Sequence, residues 1–262
     1  MIRFLLPSLV LSAATLLPQV WGQPADADRI AAETETSIER AFLRADAAAL
    51  ADAVKPLDAA LAAEPDRPSL LYTRAFAWYA DAQLHRGPRD QAARKSRFDA
   101  AVGLLERIKD APWEAEAAAL HGTILGALIA TSDNPAEAGA TLGPKAGQLL
   151  AHAAEAAPDS ARVLVCRGQS LLFTPEEYGG NPAEGRRLLE QAVARFAAGG
   201  GSAPGPRWGH ADALAWLGIA RQRAGDLAAA RAAWQQALAI EPGYAWVRAV
   251  LLPSLDKPPG AR

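Results

Sequence analysis

Cysteine is nearly absent. Cys166 stands alone in 262 residues, so no intrachain disulfide can form and no thiolate cluster exists for zinc or iron–sulfur. Valine and isoleucine are also scarce, and alanine supplies much of the 50% hydrophobic content. Alanine favours helix and lets helices pack closely, while a shortage of β-branched residues argues against sheet. Excess charge of one sign is lacking as well. The formal net charge is −2 and the basic residues are scattered, which removes the electrostatic basis for nucleic-acid binding. Past the N-terminus no apolar run approaches the roughly 20 residues of a membrane-spanning helix.

Signatures of chemistry are missing in the same way. The histidines His85, His121, His152 and His210 lie far apart, without HExxH or paired ligands at helical spacing. Stacked helices could bring His121 near His152. There is no G-x-S-x-G stretch. Gly139–Lys145 has the wrong spacing for a phosphate loop and no strand before it, and Gly199–Gly201 reads as a linker. Cys166 sits among Val163, Leu164 and Val165, as a small buried hydrophobe does. Glu35 with Glu39, and Glu176 with Glu177, read as solvated surface. Neither an enzyme nor a bound cofactor or metal is expected.

What the chain does contain is helix punctuation. Residues 1–22 have the form of an export signal: Arg3, the apolar run Phe4–Leu17, then Val20-Trp21-Gly22 before a cut at Gln23. Pro24–Arg44 reads as a helix. Asp46 caps a second, Ala47–Ala63, kinked by Pro56 and stopped at Glu64-Pro65. Ser69–His85 is an aromatic helix, and Asp90 opens another to about Ile108. Trp113–Ile129 follows, then a long loop Ser132–Pro144 and a helix Lys145–Ala157. Ser160–Phe173 leads into the segment Thr174–Pro182, where Asn181 caps and Pro182 opens a helix ending near Phe196. Residues 197–206 are Gly/Ala/Pro-rich, a flexible link. Ala211–Tyr244 gives two helices joined by a tight turn, Tyr244–Leu255 a short last helix, and Lys257–Arg262 a frayed tail.

The second helices share a spacing. Ala230, Trp234, Ala237 and Pro242 are matched by Ala146, Leu150, Ala153 and Pro158, by Gly185, Leu189 and Ala192, and by Ala53, Leu57, Ala60 and Pro65. Gly122, Gly168 and Gly218 recur on the helices before them. Gly218 stands 12 residues before Ala230, whereas Gly122 stands 24 before Ala146, so the latter turn carries an insertion. In residues 66–112 the register stays open. A glycine opposite a small residue lets two backbones approach, and each pair leaves an apolar face that only a neighbour covers, so the units stack.

Ala211–Tyr244 resembles a tetratricopeptide repeat, with Leu214 and Arg221 as departures, and the resemblance extends to most of residues 23–256. Phe173–Gly180 resembles a segment of exported bacterial members. The resemblance implies an all-α solenoid of about five helix–turn–helix pairs in a right-handed superhelix, closed by a C-terminal capping helix. It further implies a periplasmic scaffold that binds a protein or peptide along an apolar concave groove, without nucleic acid and without a membrane span after signal cleavage. On the repeat register that groove takes Tyr72, Phe76, Tyr79, Leu120, Thr123, Cys166, Gln169, Phe173, Trp216, Ile219 and Gln222. The alternative expectation is a small-molecule binder of an envelope uptake system, with Ser132–Pro144 and Thr174–Pro182 as lids.

Overall fold

A computed structural model describes residues 24–85, 87, 90–109, 113–199 and 205–256. The expected export signal, 1–22, and the tail, 257–262, lie outside the described residues, as do 200–204 of the link. Among the described residues every regular element is helical. The helices are α1 (Pro24–Leu43), α2 (Ala47–Ala53), α3 (Lys55–Ala63), α4 (Pro68–Leu84), α5 (Gln91–Leu105), α6 (Trp113–Ala130), α7 (Pro135–Ala156), α8 (Ala161–Phe173), α9 (Pro182–Ala197), α10 (His210–Arg223) and α11 (Leu227–Ile240). A π-helical turn, Val247–Leu251, then runs into the short α12 (Leu252–Ser254). No described helix is long and apolar enough to cross a membrane.

The helices pack in neighbouring pairs: α1 with α2 and α3, α4 with α5, α6 with α7, α8 with α9, and α10 with α11. Each second helix also touches the first helix of the next pair, and α1, α4, α6, α8 and α10 touch one another in succession. The caps are local chemistry. Asp46, Asn134, Ser160, Asn181 and Asp226 each accept a hydrogen bond from the backbone N–H three residues on, satisfying donors that a helix start leaves free.

Pairing follows the large/small spacing of the second helices. Leu57, Phe98, Leu150, Leu189 and Trp234 are all buried, and a small residue stands three positions later in each case: Ala60, Ala101, Ala153, Ala192 and Ala237. Phe98 with Ala101 therefore fixes the register of the second pair. Across from them the glycines permit close approach. A methyl group on Gly122 would stand 2.8 Å from Leu150 Cγ, one on Gly168 2.9 Å from Leu189 Cγ, and one on Gly218 would overlap the Trp234 indole. That indole donates to the Ala215 carbonyl at 3.0 Å, which locks it against α10.

Several expectations need correction. Ser132–Pro144 is not a loop. α7 starts at Pro135, so only a short turn precedes it and Pro144 lies inside the helix. Proline at the first helical position costs no hydrogen bond, and Asn134 accepts from Glu137 N, so the insertion extends a helix instead of interrupting one. The expected helix Ala47–Ala63 is divided at Val54, with Pro56 in the first turn of α3, where its missing N–H is harmless. Asp90 makes no side-chain cap on α5; its carboxylate accepts from Gly87 N at 3.1 Å. The last helix is mostly a π-turn. Val247 and Leu251 bury against the α10–α11 pair, in one cluster with Trp234 and Tyr244.

Candidate functional site

Two sets of side chains stand out on the first helices, one sealed and one open. The sealed set lies where segment 205–209 crosses α1, α4 and α8. Trp208 is buried, stacked on Phe76 with ring centroids 4.2 Å apart, and its indole Nε1–H donates to the Tyr72 hydroxyl at 3.3 Å. The Tyr72 ring packs 5.5 Å from Trp113, and Tyr79 6.2 Å from Phe98. Beside them runs a buried polar layer. Arg162 grips Glu116 with two hydrogen bonds of 3.1 Å, and the Ser160 hydroxyl donates to the same carboxylate at 2.5 Å. Asp212 accepts from Trp216 Nε1 and from the Tyr244 hydroxyl, both at 2.9 Å.

Glu35 and Glu39, one turn apart on α1, belong to this layer and not to the solvated surface expected of them. Glu35 is 2% exposed and accepts the backbone N–H groups of Arg207 and Trp208; Glu39 accepts that of Gly209 at 2.7 Å. Gly209 has φ +113, a left-handed conformation that glycine tolerates, and it is the N-cap of α10. Glu39 thus satisfies the N–H of the N-cap residue itself, the donor that the carboxylate of a capping box takes, while Gly209 has no side chain to cap the first turn. Burial pushes both carboxyls up to about 7, against the opposing pull of those N–H donors and of Arg162. Burial likewise pushes the Cys166 thiol up to about 12, with Thr123 as its hydrogen-bond partner, so the thiol is not a nucleophile at neutral pH. The space left in this layer, between Tyr79, Thr123, Arg162, Gln169, Trp208 and Asp212, is about 10 Å³.

The open set is an aromatic row. Phe173, at the end of α8, is 46% exposed and meets Trp216 of α10 edge-on at 5.5 Å. Trp216 meets Trp246, before the π-turn, at 5.0 Å. The Arg223 guanidinium lies 4.2 Å over the Phe173 ring and also donates to the Leu172 carbonyl at 2.7 Å. Gln222 donates to the Ser254 hydroxyl at 2.9 Å along the same side. Tyr178, in the turn between α8 and α9, is 79% exposed.

Of the residues expected to line a groove, Tyr72, Phe76, Tyr79, Leu120, Cys166 and Ile219 are buried. Tyr72 and Phe76 are brought together by Trp208, while Leu120 and Ile219 lie in separate core clusters. Gln169 and Trp216 are half-buried, and Phe173 is exposed. Trp208, Arg162 and Trp246 were not singled out in the sequence, and Glu35 and Glu39 were expected on the surface. A tryptophan just past a Gly/Pro-rich link was the available signal for the first of these.

His121 and His152 both line a cleft of about 230 Å³ between α5, α6 and α7, with Glu106, Lys109, Glu114 and Lys145 on its walls. His152 faces Glu114 at 3.6 Å and Lys145 pairs with Glu106 at 3.0 Å. Burial lowers the pKa of His121. Among the described residues no group of three or more His, Cys, Asp or Glu is placed to hold a metal ion. Compared with known proteins, the chain matches no family model, no curated protein and no solved structure.

Proposed function

We propose that this chain is an exported scaffold of the tetratricopeptide type, with a signal at residues 1–22, and that it binds a protein or peptide partner on the side formed by its first helices. Support for the repeat reading comes from the recurring large/small spacing of the second helices and the glycines opposite them. The solenoid curves so that α1, α4, α6, α8 and α10 line its concave side. In this arrangement the concave face has a closed part, filled by Trp208, and an open part. The observation that carries the binding proposal is the row Phe173–Trp216–Trp246, contacting rings of which Phe173 is exposed and the two tryptophans half-buried, beside the amide and guanidinium of Gln222 and Arg223. Rigid aromatic rings with polar donors at their margin are what hot spots for peptide segments are made of. The scaffold is not an enzyme and works without cofactor.

The experiment is a paired substitution, Phe173→Ala with Trp216→Ala, in the exported full-length chain. Co-purification of the partner should fall at least tenfold while far-UV circular dichroism stays unchanged. Undiminished co-purification with an intact fold would reject the site. The second reading, a small-molecule binder of an uptake system, is favoured only by the cleft at His121 and His152. It loses one of its two lids, because Pro135–Pro144 is helix.

A further inference from the structure

Segment 205–209 is held in the manner of a bound peptide. Residues 205–208 belong to no regular element, and Gly209 caps α10, its carbonyl accepting from Ala213 N at 2.8 Å. Its main chain is read by side chains from two helices: Glu35 takes the N–H groups of Arg207 and Trp208, Glu39 takes that of Gly209, and Arg162 reaches the Trp208 carbonyl at 3.5 Å. Side chains are read as well. The Trp208 indole lies flat on Phe76, within 13° of parallel, and its N–H is spent on Tyr72. Pro206 is buried along with Trp208 and Gly209, while the Arg207 side chain is exposed and Gly205 is half-buried, so the proline and the tryptophan are the specified side chains of the segment. Side chains of α1 and α8 thus supply the backbone partners that a buried extended segment outside any sheet or helix requires, as a receptor does for a bound peptide.

We propose that segment 205–209 is an internal occupant of a peptide-recognition groove, which it blocks, and that the groove accepts in trans an extended segment of the form proline–any residue–tryptophan–glycine whose backbone N–H groups after the proline are free to donate. The inference rests on the scaffold proposal and names the chemistry of a partner at the closed part of the same face. Because the occupant is tethered, it lowers apparent affinity for an outside peptide by the fraction of time it stays seated. The partner's contacts with the aromatic row are separate from this groove.

The test uses the full chain and a fluorescein-labelled peptide, acetyl-Gly-Pro-Arg-Trp-Gly-amide, followed by fluorescence anisotropy. Trp208→Gly should bind the peptide at least tenfold more tightly than the parent chain, and adding Phe76→Ala should remove that gain. A peptide with alanine in place of tryptophan should not bind. Equal binding by Trp208→Gly and the parent, or equal binding of the two peptides, would overturn the inference. Should Trp208→Gly fail to fold, deuterium uptake of segment 205–209 in the parent chain is read with and without millimolar peptide. Uptake at least fivefold faster with peptide is expected, and an unchanged rate would overturn the proposal. The Phe173→Ala/Trp216→Ala pair keeps the two proposals distinct. If it loses the partner while the peptide fails, only the internal occupant falls; if it keeps the partner, the scaffold site falls whatever the peptide does.

Discussion

At Gly218 a hydrogen atom is all the space that the Trp234 indole leaves. The need is legible in the chain, since a glycine 12 residues before a small-x-x-x-large-x-x-small run is what two closely crossing helices require. Gly218→Leu should therefore overpack the α10–α11 contact and cost about 1–3 kcal/mol, seen in the midpoint of urea denaturation. An unmoved midpoint would displace Gly218 from the contact. Glu35 shows the opposite situation. Its burial depends on Arg207 and Trp208, 172 and 173 positions away, and no local pattern announces so distant a partner. Its consequence is a pH dependence with a definite sign. The folded carboxyl, at about 7, lies above its ordinary value of 4.5, so the folded chain holds more protons than the unfolded one between those values. The stability that Glu35 contributes is complete below 4.5 and is lost as pH rises through about 7. His121 and His210, lowered by burial, act in the other direction, so the clean measurement is a difference. Glu35→Gln keeps an oxygen acceptor without the titration. Its Tm relative to the parent should climb by about 5–10 °C between pH 5 and pH 8, and a constant difference would refute an uncharged Glu35 at low pH.

Among the elements, α7 departs furthest from what its residues announce. Gly139, Gly143 and Pro144 read as breakers, yet the helix is continuous from Pro135 to Ala156. Two facts outweigh the breakers. Asn134 and Pro135 form a strong start, and α6 lies alongside, so the helix gains packing that propensity does not count. The caps at Asp46 and Asn181 and the second-helix spacing were legible because they are local; the fate of the inserted residues was not, because it is set by the neighbouring helix. Pro144 still removes one backbone donor within α7, and its side chain is exposed. Pro144→Ala should restore that hydrogen bond at no packing cost and raise stability by about 1–3 kcal/mol in thermal denaturation. A lowered Tm would mean that the proline shapes α7 in a way the helix needs.

Over the whole molecule the ends of the array meet. Arg44, after α1, pairs with Glu241, after α11, at 3.1 Å, and Leu43 shares an apolar cluster with Tyr244 and Val247. The all-helical class and the pairing were readable from alanine content and periodicity. That the chain fills part of its own first-helix side was not, since it follows from contacts of segment 205–209 with residues far away in sequence on α1, α4 and α8. The consequence is a division of that side into the part closed by Trp208 and the part open at Phe173, Trp216 and Trp246. The proposed partner site lies on the open part, and the proposed internal occupant on the closed one. The most direct measurement places a photo-reactive phenylalanine analogue at position 173, and in a second chain at exposed Ala232 of α11, and irradiates intact cells expressing each. The account predicts one discrete cross-linked species from position 173 that disappears when Trp216→Ala is added, and none from position 232. Equal products from both positions, or a product at 173 indifferent to Trp216, would contradict it.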